Sequence, residues 1–239
     1  MPVNHESSPL RALHHRLSRW LLPPRCLLCG EAADTLDLCR ACIGALPKND
    51  SRCSHCALPL PAPAPDCGAC LHEPPPFSSA VAPWIYQDAL AELVPRFKFH
   101  RDLACGRVLA ELALQALRDW PGWHGVQQMV PMPLHRDRLA RRGYNQALEL
   151  ARPLAHAHRL SLRPDLLQRC RATAAQTELD AAARRRNLRG AFDAAALDGA
   201  TVLLVDDVIT TGATVREAAK TLLRAGAAEV RVLALARAP

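Results

Sequence analysis

The stretch Val202-Leu-Leu-Val-Asp206-Asp207-Val208-Ile209-Thr210-Thr211-Gly212-Ala213-Thr214 decides the fold. Its opening run, Thr201 to Val205, is β-branched and leucine-rich, the composition of a strand buried on both faces of a parallel sheet. Two adjacent carboxylates stand at the end of that strand. A short Thr/Gly turn follows and opens into a helix read over Thr214 to Ala225, stopped by Gly226. In an open α/β sheet, ligands bind outside the carboxyl ends of the strands. Loop amides at a helix N-terminus suit a phosphate. Thr210, Thr211 and Thr214 add hydroxyl donors, and Gly212 lets the backbone come close. No G-K-[ST] sequence is present, which excludes a Walker A loop. Asp206 and Asp207 would repel a phosphate but suit sugar hydroxyls or a metal ion. The stretch therefore calls for a ligand with a phosphate at one end and a diol beside it, as in a ribose 5-phosphate. Neighbouring side chains of an extended strand face opposite ways, so joint contact with one ribose requires the chain to turn at the two acids.

Outward from this stretch the chain alternates. Strands are expected over Ser79–Tyr86, Val126–Met132, Leu166–Cys170 and Val230–Leu235. Helices are expected over Ala89–Phe99, Asp102–Trp120, Tyr144–His158 and Leu179–Leu188. Leu109, Leu112, Ala113 and Leu117 fall at helical spacing, and Pro121-Gly122 ends their helix. The pattern predicts an α/β fold, a parallel sheet flanked by helices.

The region before it is different. Eight of the ten cysteines fall in four C-x-x-C pairs, Cys26/Cys29, Cys39/Cys42, Cys53/Cys56 and Cys67/Cys70, which read as two copies of one unit. Two such knuckles complete a tetrahedral thiolate site, so the eight cysteines are expected to hold two structural Zn²⁺ ions with no open coordination position. Sequential pairing closes shorter loops than an interleaved cross-brace and is the expected arrangement. Gly30 and Gly68 are read as the positive-φ residues of the knuckles. His55 is expected to be exposed, and Cys105 and Cys170 to be small buried residues.

Hydrophobic residues at 49% and charged residues at 22% exclude a disordered chain, and aromatics at 4% leave a core of Ala, Leu and Val. No run of 18 uncharged apolar residues exists, and Arg11, Arg16 and Arg19 break any apolar signal region. A soluble, cytoplasmic protein without membrane insertion is expected. Its opening residues read as an amphipathic lead-in, with a transit peptide as the other reading. The formal charge is +7, and two zinc tetrathiolates would lower it by four. From Arg136 to Arg189, thirteen arginines face five acids. That belt suits a polyanion, although solvated helix faces would carry the same charges. Lys98 is one of only three lysines and reads as a surface residue or a point charge in the site.

Residues 202–214 match throughout the signature with which type I phosphoribosyltransferases bind phosphoribosyl pyrophosphate (PRPP). The wider chain, from about Cys26 to Ala236, resembles the ComF family of competence-associated proteins, which join a double zinc ribbon to such a domain. Val130-Pro-Met-Pro-Leu134, Arg142-Gly-Tyr-Asn-Gln146 and Gln176, Leu179, Arg184, Asn187 and Phe192 extend the resemblance. It implies a lead-in over 1–22, a ribbon pair over 23–73 and a phosphoribosyltransferase-like domain over 77–239. It implies that Asp206 and Asp207 contact the ribose hydroxyls, that Thr210, Thr211, Gly212, Ala213 and Thr214 hold the 5-phosphate, and that Val208 and Ile209 belong to the same PRPP-binding segment. Pro131 and Met132 would form the pyrophosphate loop, with Arg136 and Arg142 meeting the diphosphate. Gln176, Arg184 and Asn187 would belong to a flexible closing loop. Mg²⁺ would enter with PRPP. Two functions follow: transfer of phosphoribosyl to an unidentified acceptor in connection with DNA uptake, or a non-catalytic adaptor sensing PRPP or binding single-stranded DNA and competence machinery. The aromatic shortage weighs against a base-stacking surface.

Overall fold

A computed structural model describes residues 24–33, 36–171 and 188–239. The chain divides into two compact units, Met1–Ala45 and Leu46–Pro239. The first holds one ribbon, with an Arg25–Ala32 bridge and a short helix α1 (Arg40–Gly44). The second begins with the other ribbon, which repeats the pattern with an Arg52–Pro59 bridge and helix α2 (Gly68–His72).

The remaining elements of the second unit follow in chain order. They are β1 (Ser79–Val81), β2 (Trp84–Ile85), α3 (Asp88–Phe99), α4 (Leu103–Ala116), β3 (Gln128–Pro131), α5 (Arg136–Arg142) and α6 (Gln146–His158). Then come β4 (Ser161–Leu162), β5 (Leu167–Arg169), β6 (Phe192–Ala194), β7 (Thr201–Ile209), α7 (Ala213–Arg224) and β8 (Glu229–Arg237). Strands β1, β8, β7, β3 and β4 lie side by side in that order, β2 also pairs with β8, and every pairing is parallel. Strands β5 and β6 form a separate antiparallel pair. The chain leaves β3 toward β4 and leaves β7 toward β8, so the connections diverge at the β3/β7 boundary, where such sheets open a crevice.

The central strands are largely buried, with Leu203, Leu204, Val232 and Ala234 fully shielded. The core is built of Leu, Val and Ala, as the scarcity of rings requires. Several elements depart from the sequence expectation, among them the short strands β4 and β6, which are not among the expected strands, and α4, which ends at Ala116 rather than Trp120. The run 79–86 forms two short strands rather than one, broken at Ala82-Pro83, where the Pro83 carbonyl turns to accept from the Asn49 amide at 2.8 Å. Strand β7 continues past Val205 to Ile209, because β8 offers a partner at each end of that extension, Asp206 to Ala234 and Ile209 to Arg237. Helix α6 starts at Gln146, not Tyr144, because the Asn145 side chain caps the amides of Ala147 and Leu148. Helix α5 occupies a segment read only as a basic stretch. The expected helix over 179–188 falls almost wholly outside the described residues.

Candidate functional site

The last paired residues of β3 and β7 are Pro131 and Val205, and the Met132 amide donates to the Val205 carbonyl at 2.7 Å. Pro131 and Met132 thus adjoin the carboxylate segment. Beyond Val205 strand β7 overshoots β3 and stays extended through both acids. The expected turn at Asp206-Asp207 is absent, and the chain turns only at Thr210–Gly212, where Gly212 adopts φ 76° before α7 begins. Each carboxylate instead accepts from the next amide, Asp206 Oδ1 from Asp207 N at 2.9 Å and Asp207 Oδ1 from Val208 N at 2.7 Å.

The two acids are buried and have different surroundings. Asp207 Oδ2 lies 2.8 Å from Lys98 Nζ, delivered by the last turn of α3. Its charge also reaches Arg142, a half-buried guanidinium that burial pulls below its usual range while Asp207 opposes the shift. Arg142 donates to Gln146 Oε1 and lies 5.3 Å from the centroid of Phe99. The charge of Asp206 is felt by Arg169 of β5, which burial and Arg138 both pull down. Burial, reinforced by the neighbouring Asp207 charge and opposed by Lys98, pushes Asp206 up to about 8. Burial thus favours the protonated form of Asp206, and positive charge brought beside it favours ionisation.

Among the sequence candidates, Thr210 and Thr211 are exposed on the loop, Thr214 is half-buried in the first turn of α7, and Ala213 is buried beneath it. Val208 and Ile209 complete the strand. Arg136 is exposed at the start of α5 and borders a groove of about 490 Å³ with Leu134, Tyr144, Gln168 and Arg169. Arg142 feels the charge of Asp207 directly. Gln176, Arg184 and Asn187 lie outside the described residues. Lys98 and Arg169 were not singled out as site residues by the motif. The signal for Lys98 was its rarity in an arginine-rich chain, and for Arg169 the opposite facing of adjacent strand residues, which asks for a cation on each side.

The eight cysteines form two quartets, Cys26/Cys29/Cys39/Cys42 and Cys53/Cys56/Cys67/Cys70, with the sulfurs of each within 4.8 Å of one another. Pairing is sequential. The backbone repeats as well: Gly30 N donates to Cys26 O and Ala57 N to Cys53 O, both at 2.9 Å. Gly30 has φ 76°, but the matching residue of the second knuckle is Ala57 at φ 57°, not Gly68, which begins α2. In the first quartet, burial raises Cys26 but local amides outweigh it and leave it near about 6, while its neighbours push Cys42 upward. In the second, burial leads in raising Cys56 to about 11 and Cys70 higher still. Four thiolates this close need a cation to coexist, which is the donor set of a structural zinc. His55 is partly exposed, as expected, and bonds Asp66 Oδ1 at 2.5 Å. Cys105 is buried, but Cys170 is exposed just past the end of β5, contrary to expectation.

A double zinc ribbon domain model matches residues 17–71, and a phosphoribosyl transferase domain model matches residues 142–239. The chain is similar to DNA utilization protein YhgH of Salmonella typhimurium, at 39% identity over 90% of this chain and 98% of that protein. It is similar to Competence protein F of Haemophilus influenzae, at 36% identity over 84% and 90% of the two chains. Competence protein ComFC of Streptococcus pneumoniae is 26% identical, over 89% of this chain and all of that protein. With its cysteine quartets, its parallel sheet and its paired acids above a Thr/Gly loop, the chain belongs to the ComF family of competence-associated proteins.

Proposed function

We propose that the β3/β7 crevice binds PRPP and transfers its phosphoribosyl group to an acceptor. The observation that carries this reading is the buried Asp206–Asp207 pair on the overshoot of β7, directly before the Thr210–Gly212 loop and the N-terminus of α7. The 5-phosphate is held by the loop amides and threonine hydroxyls. The ribose hydroxyls donate to Asp207, the acid beside Lys98, because the extended strand turns Asp206 to its other face. Lys98 and Arg142 stand where they lower the cost of bringing a polyanion to two acids, and Met132 starts the segment facing the diphosphate. In the transfer, the bond from the ribose anomeric carbon to pyrophosphate breaks, pyrophosphate keeps the electron pair, and the acceptor's nucleophilic atom forms the new bond. Mg²⁺ carried by the diphosphate would neutralise the leaving group, held mainly by substrate oxygens with the acid pair in reach. The buried acids fit such a partner, since Asp206 lacks a full counter-charge of its own. The groove of about 490 Å³ beyond Leu134 is the place for an acceptor.

Calorimetric titration with PRPP, with and without Mg²⁺, followed by a pyrophosphate-release assay, tests this reading. Mg²⁺-dependent binding with release across an acceptor screen supports transfer, binding without release supports a sensor, and absence of binding overturns both.

A second reading has its own observation. Phe99 is 70% exposed beside Arg142, a ring and a guanidinium arranged as a base-stacking surface uses them. With relatives named for DNA utilization and competence, this supports contact with single-stranded DNA. Loss of oligonucleotide binding in Phe99→Ala would support it, and unchanged binding would remove Phe99 from the argument.

A further inference from the structure

Arg237, at the end of β8, is buried and 7% exposed. Its Nη1 faces three carbonyls, those of Ile209 at 3.2 Å, Ala238 at 2.6 Å and Thr210. Its Nε donates to the carbonyl of Cys56 at 3.3 Å. Cys56 is a member of the second quartet, and Ile209 and Thr210 open the phosphate loop. One side chain therefore bridges a zinc knuckle and the loop.

Peptide geometry gives that bridge a consequence. In a trans peptide the C=O and the following N–H point in opposite directions. A guanidinium holding the Ile209 and Thr210 carbonyls turns the Thr210 and Thr211 amides away from itself. The acceptor oxygens, which would repel an anion, are thus drawn to the arginine, and the donors are left for a phosphate. The charge of this arginine must itself be offset, because a buried cation without a counter-charge is costly. Burial pulls Arg237 down, and the thiols of Cys56, Cys67 and Cys70 oppose that shift. Bound to zinc, that quartet carries a net negative charge. Asn49 adds a second tie, its Nδ2 donating to the carbonyls of Ala57 at 2.9 Å and Ala82 at 3.1 Å, so the knuckle is fixed to the sheet from two sides.

We propose that Arg237 is a positioning residue through which zinc at Cys53/Cys56/Cys67/Cys70 sets the geometry of the phosphate loop. This rests on the reading of Thr210–Thr214 as a phosphate site, but the coupling itself is measurable without any ligand.

The experiment compares the full chain, Arg237→Lys and Arg237→Gln by amide hydrogen exchange over residues 208–214, zinc content and PRPP titration. Arg237→Gln should keep two zinc ions, exchange the loop amides faster and weaken PRPP by about tenfold, the scale of one charge-assisted hydrogen bond. Arg237→Lys, which keeps the charge, should fall between. Stripping zinc with a chelator should speed loop exchange in the unaltered protein and add little in Arg237→Gln, where the bridge is already cut. The comparison between the two proteins cancels any effect of emptying the other quartet. Equal loop exchange in Arg237→Gln and the unaltered protein would overturn the coupling, as would an equal response of both to chelation. If Arg237→Gln does not fold, the same comparison is made with Arg237→Lys, where a chelator response smaller than that of the unaltered protein supports the coupling and an equal response overturns it. Failure of the unaltered protein to bind PRPP would sink the phosphate reading and leave the exchange result standing.

Discussion

Lys98 Nζ lies 2.8 Å from Asp207 Oδ2, with the two side chains 21% and 5% exposed. The pair joins the end of helix α3 to the end of strand β7 and puts a compact positive charge on the face where a ribose would approach. Lys98→Met should leave Asp207 buried without this partner. We expect a stability loss of ~2–3 kcal/mol by chemical denaturation and PRPP binding weakened by about tenfold or more as repulsion of the anion grows. Lys98→Arg should recover part of both. Unchanged PRPP affinity in Lys98→Met would remove the lysine from the binding site.

Asp206 gives the free protein a pH signature. Its folded pKa, about 8, stands above that of the unfolded chain, so the folded form holds a proton that the unfolded form has lost. The stability contributed by Asp206 is therefore full below the unfolded value of about 4 and is lost as pH rises toward about 8. Thermal melting across that range should show a downward slope that Asp206→Asn lacks. If PRPP and Mg²⁺ bring positive charge to the pair, binding at neutral pH should also release a proton. Calorimetry in buffers of different ionisation enthalpy reads this directly, and an absence of release would show that the ligand leaves Asp206 protonated.

The quartets predict a metal count. Each is complete within its own four sulfurs. Cys26→Ser should lose about one zinc of two by elemental analysis, and Cys67→Ser should lose the other. Retention of both ions in either variant would contradict the assignment.

Gly106 of α4 faces Phe97 of α3 so closely that a Cβ would come within 2.3 Å of Cε2 and 2.7 Å of Cδ2. Phe97 is buried, stacks on Tyr144 with centroids 5.3 Å apart and accepts from the Tyr144 hydroxyl through its carbonyl, so the ring has no easy retreat. Gly106→Ala should cost ~1–3 kcal/mol in a denaturant titration. Because Lys98 is the next residue, PRPP affinity should fall with it.

Much of the fold could be read from local pattern. The strand at Thr201, the loop behind it and the cysteine knuckles are short-range features whose chemistry lies in adjacent residues. The companions of the two acids are not. Lys98 and Arg169 reach the site on α3 and β5, elements distant in sequence, and no spacing marks them as partners of Asp207 and Asp206. The extent of β7 was also hidden. Two acids look like the end of a strand, whereas pairing with β8 holds them extended to Ile209. In the knuckles glycine is expected wherever φ is positive, yet Ala57 takes that conformation with its side chain fully buried in the same core cluster as Val130 and Val232.

The parallel register of β1 and β2 on β8 has a kinetic consequence. Ser79 pairs with Arg231 and Trp84 with Ala236, so the strands that follow the second ribbon find their partner only when the last strand of the chain arrives. The quartet itself spans residues 53–70 and closes on short loops. Metal capture is thus a fast, local event, while sheet closure is slow and long-range. Refolding should show two phases, the first tracking zinc uptake and the second the burial of the sheet. Between them the ribbon waits as a loaded but undocked module.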